Sequence, residues 1–210
     1  MRRANSLRLS FSKITIRVLF VACICIMTIS TSAQPKKFYF PAWTFQKKNA
    51  RILGVSGGLY SMNDMHRNTN TFGLRLEVPG TGLVVGLIPS SPLAETDSAI
   101  LELKKQPVSE KVYGFSISAL GTTCHCNVNG VAVNGIGQIQ NQINGLSFSP
   151  VSFVQTHNGI QLGIFNYTYK MNGIQIGFVN NSKRTRGIQI GLLNRNEKRK
   201  LPIINWNFSN

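Results

Sequence analysis

Cys124-His125-Cys126 is the densest cluster of chemically active side chains in this sequence. Two thiolates and an imidazole are a donor set for Zn²⁺ or Cu⁺, so Cys124 and Cys126 are the metal candidates. On an extended strand, residues i and i+2 share a face and the residue between them points away. A tetrahedral site would then need more ligands, and only His66 and His157 remain as imidazoles. The preferred reading is a pair of small semi-buried residues or a redox-labile pair, although a disulfide across so short a loop is strained. No metal or other cofactor is assigned.

The acids Glu95, Asp97, Glu102 and Glu110 fall in one stretch, where a glycosidase would need two carboxylates facing across a cleft. Nothing in their spacing requires that geometry. A His-Glu-x-x-His pair and a Gly-x-x-x-x-Gly-Lys phosphate loop are both missing from the sequence. No catalytic residue is assigned, and the expectation is a non-enzymatic protein.

Basic residues carry the binding expectation. Lys183, Arg184 and Arg186 form one group, and Arg195, Lys198, Arg199 and Lys200 the next. The chain has 23 Lys+Arg against 7 Asp+Glu. Five of the basic residues precede residue 18, which leaves 18 − 7 = +11 for the remainder. Such a surface attracts polyanions such as lipid head groups and acidic polysaccharide. The partner expectation is outer-membrane lipid or anionic polysaccharide, with no nucleic acid.

These groups sit on a repeat. Gly145, Gly159, Gly173 and Gly187 open four units, each 14 residues from the next, and Gly159-Ile-Gln-Leu-Gly-Ile-Phe-Asn166 typifies them. Diverged units begin at Gly130, Gly114 and Gly73. Apolar and polar residues alternate with the period of a strand. Asn-Gly pairs at 129–130, 144–145, 158–159 and 172–173 read as tight turns. The fold class is all-β: diverged strands over 34–88, a long connection over 89–111 with a turn or two of helix within 95–105, and repeat strands over 112–210. A strand is expected at 81–88.

Two architectures fit. In a β-solenoid each unit is one coil, and Gln161, Gln175 and Gln189 stack in a ladder. In an antiparallel meander, closed into a barrel-like sheet, each unit is one strand and one turn. The stretches 180–186 and 194–200 lack aliphatic and aromatic residues, which suits exposed loops better than half a coil. That favours the meander, with the solenoid as the alternative.

The N-terminus has the order of a secretory signal peptide. A basic segment to Arg17 leads into a 12-residue apolar core, Val18–Ile29, and then into small residues. Cleavage is expected between Ala33 and Gln34. A core of that length reaches only ~18 Å as a helix, short of a ~30 Å bilayer interior. Residues 1–33 are therefore read as the signal peptide and 34–210 as one domain of an exported chain.

The runs Asn172-Gly-Ile-Gln-Ile-Gly-Phe-Val-Asn180 and Gly187-Ile-Gln-Ile-Gly-Leu-Leu-Asn194, with the terminal Leu201-Pro-Ile-Ile-Asn-Trp206, resemble a family of bacterial surface-repeat proteins of Bacteroidetes and spirochaete type. The close match covers about 159–206. The resemblance implies a cell-surface or outer-membrane location and carries no established activity or functional residues. A periplasmic or secreted binding module for an anionic glycan or lipid is the other expectation.

Overall fold

The computed structural model describes residues 35–62, 66–88 and 91–208. The expected signal segment, the Ala33–Gln34 cleavage site and Asp64 lie outside them. The strands are β1 (Lys37–Tyr39), β2 (Ala42–Thr44), β3 (Ala50–Gly58), β4 (Thr69–Glu77), β5 (Glu110–Ser118), β6 (Gly121–Asn134), β7 (Gly137–Phe148), β8 (Val151–Leu162), β9 (Phe165–Ile176), β10 (Val179–Arg195) and β11 (Lys200–Asn207). From β3 to β10 each pairs in parallel with the next, and the chain is a β-solenoid of about ten turns. The all-β repeat is therefore present, and its architecture is the alternative one. Among the described residues the antiparallel meander is not found: only β11 runs antiparallel there, folding back on β10 as a terminal cap.

The register is that of the repeat. Gly159 pairs with Gly173 and Gly173 with Gly187, and the match extends back through Gly145, Gly130, Gly114 and Gly73 to Gly54. These glycines make the corner of each coil. Gly173 has φ +133°, and a Cβ there would lie 2.0 Å from the carbonyl oxygen of Gly159. Only glycine allows that stacking, which explains the regular spacing. The Asn-Gly pairs are thus corners inside continuing strands. The chain reverses instead at 163–164 and 177–178, between strands.

The coil interior explains why this repeat forms a solenoid. One column through the stack is mostly apolar: Ile52, Thr71, Val112, Val128, Ile143, His157, Met171 and Thr185. The other inward positions are mostly polar. Gln161, Gln175 and Gln189 are fully buried, as are Asn166, Asn180 and Asn194. Stretches without apolar residues, such as 180–186, can therefore line this interior.

The amides satisfy one another along the stack. Gln175 Nε2 donates to Gln161 Oε1 at 2.9 Å, and Gln189 Nε2 to Gln175 Oε1 at 2.8 Å. Asn166 Nδ2 donates to Asn180 Oδ1 at 2.9 Å, and Asn180 Nδ2 to Asn194 Oδ1 at 2.8 Å. Burying an amide costs little once its hydrogen bonds are made.

The expected strand at 81–88 is instead a 3-10 turn, Gly82–Leu87. The long connection does contain a helix, α1 (Asp97–Lys105), whose first turn is capped by Thr96 Oγ1 accepting from the Ala99 amide at 3.3 Å. Gln155 fastens the connection to β8, accepting from the Ala94 amide at 3.0 Å and donating to the Ala94 carbonyl at 2.8 Å.

Candidate functional site

A polar interior sends the repeat's apolar residues outward. In register, Val55, Leu74, Phe115, Val131, Leu146, Ile160, Ile174 and Ile188 form one outer column. Two residues on, Leu76, Ile117, Val133, Phe148, Leu162, Ile176 and Ile190 form the next. The coil reversal adds Ile164, Phe178 and Leu192, with Phe178 57% and Leu192 68% exposed. With coils ~4.8 Å apart, the eight-residue column makes a strip ~34 Å long. Its C-terminal part dishes into an apolar groove of about 610 Å³ around Phe148, Ile164, Phe178 and Leu192. Soluble monomers rarely show a continuous apolar surface of this kind.

A basic groove of about 480 Å³ lies on the same coils. Lys170, Arg184, Arg186 and Lys198 line it with Asn172 and Glu197. Stacking places Lys170 directly beside Arg184 in register, which gathers like charge on adjacent coils. Tyr169 steadies the Arg184 guanidinium, which sits 5.5 Å from its ring centre. Glu197 is held by the chain, accepting from the Thr185 amide at 3.0 Å and from Asn207 Nδ2. Among the described residues that line the groove, four cations face one carboxylate.

Three of the seven basic residues singled out in the sequence, Arg184, Arg186 and Lys198, thus come together. The others do not join them. Lys183 pairs with Glu95 of the long connection at 3.0 Å. Arg199 lies 4.5 Å from the ring centre of Trp206 and donates to the Trp206 carbonyl at 2.9 Å. Arg195 and Lys200 are exposed and line no part of the groove. Lys170 was not among the expected residues. Its signal was its position, one repeat of 14 before Arg184.

The remaining candidates separate. Cys124 and Cys126 are bonded to each other as a disulfide, with Cα atoms 5.2 Å apart. They are therefore not free thiolate ligands, and no metal-binding cluster occurs among the described residues. The disulfide spans a bulge at which β6 carries one residue more than β7. His125 lies between them, buried, with Nδ1 3.3 Å from the Pro107 carbonyl. A cavity of about 290 Å³ separates this bulge from α1, with Glu102, Gln140 and Gln155 in its wall.

The acids of the connection are likewise dispersed. Glu110 is fully buried beside Arg75, Glu95 is paired with Lys183, and Glu102 faces the α1 cavity. Burial pushes the Glu110 carboxyl up from its ordinary range, against the pull of Arg75. His157 sits in the apolar column with Nε2 2.9 Å from Ser147 Oγ, and burial lowers its pKa from 6.5 to about 4.

Comparison with family models, curated proteins and solved structures finds no match for this chain.

Proposed function

We propose that this chain is a non-enzymatic cell-envelope protein of the outer membrane or cell surface, and that its outward apolar strip lies against lipid. The inverted distribution of side chains carries the reading. Aqueous globular domains bury Ile, Leu and Phe and leave amides outside, and here the repeat does the reverse over many coils. The basic groove at one end of the strip suits an anionic membrane surface, to which each nearby Lys or Arg adds about 1 kcal/mol. Two sequence features agree: the signal-peptide pattern of residues 1–33 and the resemblance to surface-repeat proteins. Coverage of the strip by a second copy is disfavoured by the +11 charge that each partner would bring.

Flotation with phosphatidylcholine vesicles tests this. The chain from residue 34 onward is expected to float with the vesicles. The combined change Ile176→Ser, Phe178→Ser, Ile190→Ser should stay at the bottom of the gradient with an unchanged circular-dichroism spectrum. A wild-type chain that remains a soluble monomer beside vesicles contradicts the reading.

A further inference from the structure

The basic groove and the apolar strip meet. A second groove of about 600 Å³ shares Lys170, Asn172 and Arg186 with the basic one and continues over Ile174, Ile188 and Phe208. Along β10 the outward residues run Arg184, Arg186, Ile188 and Ile190, at intervals of two. The corner at Gly187, φ +151°, turns the chain between its cationic and apolar parts.

We infer that Lys170, Arg184, Arg186 and Lys198 form a head-group site for a phosphate-bearing amphiphile whose acyl chain lies along Ile174, Ile188 and Phe208. The site rests on the membrane reading and deepens it, giving the apolar strip a preferred lipid. Each part of the ligand follows from an observation. The register pair Lys170 and Arg184 brings two cations onto adjacent coils, where a phosphate bridges them. Arginine offers planar donors matched to phosphate oxygens. The apolar continuation excludes a wholly polar ligand: an acidic polysaccharide would leave Ile174, Ile188 and Phe208 uncovered by anything apolar. Glu197 sits at the groove wall, but Thr185 and Asn207 already hold its two oxygens.

Binding to phosphatidylcholine vesicles, with and without added phosphatidic acid, tests the site by flotation titration. The variant Arg184→Gln, Arg186→Gln is set against Arg195→Gln, Lys200→Gln, which removes equal charge outside the groove. The wild-type chain should prefer the phosphatidic acid vesicles. The groove variant should lose about 25-fold on them, at about fivefold per cation, and keep its affinity for phosphatidylcholine alone. The control variant should lose less than about threefold, because a diffuse surface charge is screened.

Equal losses in the two variants would overturn the site in favour of general charge attraction. So would an unchanged preference in the groove variant. Both results leave the membrane reading standing, because binding to phosphatidylcholine persists. Failure of the wild-type chain to bind either vesicle overturns both. Inorganic phosphate is the last arm. If it binds the wild-type chain, is lost with the groove variant, and vesicle binding is unaffected by that variant, the groove takes free phosphate and the lipid assignment fails.

Discussion

One interior column of the solenoid is filled in two different ways along its length. It runs Ser56, Arg75, Ser116, Ala132, Ser147, Gln161, Gln175, Gln189 and then Asn205 in the cap. In the C-terminal half it is an amide ladder, each glutamine bonded to the next. In the N-terminal half one arginine occupies the space, flanked by serines. Arg75 is fully buried and bonds to Glu110 at 3.0 Å, Glu77 at 3.0 Å and Ser61 at 2.6 Å, with Phe45 4.1 Å beneath it. Glu77 also accepts from Thr122 Oγ1 at 2.5 Å.

The difference is one of extensibility. An amide both donates and accepts, so an identical residue one coil away completes it and the pattern repeats. An ion cluster needs complementary partners from different positions, so it closes on itself. Where the amides stack, the sequence repeats closely. Where the ions close, it diverges.

The strongest way to break both halves is through the corner they share. Gly159→Ala forces a Cβ to 2.1 Å from the Gly145 carbonyl oxygen at a positive φ. It should cost on the order of 4 kcal/mol or more, read as a fall in the denaturation midpoint, and Gly73→Ala should match it in the other half. Arg75→Met separates the halves. Leaving Glu77 and Glu110 buried without their cation should cost about 3–5 kcal/mol. Adding Glu77→Gln and Glu110→Gln should recover most of that loss, since a neutral cluster carries no unpaired charge.

His157 gives a pH test inside the repeat half. Its folded-state pKa lies below the unfolded value, so the fold holds the neutral form. Its contribution to stability is complete above pH 6.5, declines as pH falls, and is lost below about 4. The span corresponds to about 3 kcal/mol. His157→Met, matching Met171 one coil on, should remove it. Urea midpoints of the two proteins should therefore converge or reverse in order between pH 7 and pH 4.

The amide ladder itself is expected to be softer. Gln175→Leu strips partners from Gln161, Gln189 and Thr168 and should cost about 1–3 kcal/mol. The smallest effect is outside. Ile176→Ser should alter stability by no more than about 0.5 kcal/mol, although it interrupts the apolar strip.

The repeat, its period and the alternation of faces were all legible in the sequence, because corner glycines and period-2 patterning are local signals. Which face points inward was not. Ile174 and Gln175 alternate equally well in a barrel, a conventional solenoid or this inverted one, and only the pairing of Gln175 with Gln161 and Gln189 decides. The stretch Asn180–Arg186 looked like a loop because polarity ordinarily marks solvent, whereas here Asn180, Ser182 and Thr185 face the interior. The basic groove was half legible. Arg184, Arg186 and Lys198 stood out as local clusters, while Lys170 becomes their neighbour only through parallel stacking. Lys183 and Arg199 stood out equally and are engaged elsewhere, by Glu95 and Trp206.

If the proposed membrane contact is made, the outer apolar strip, and not the side carrying α1, meets lipid. Fluorescence quenching by brominated acyl chains tests it most directly. In a Trp43→Phe, Trp206→Phe background, Ile176→Trp places a single reporter on the strip and Lys105→Trp places one on α1. Brominated phosphatidylcholine vesicles should quench the first strongly and the second not at all. Equal quenching at both positions, or quenching only at Lys105→Trp, would contradict it.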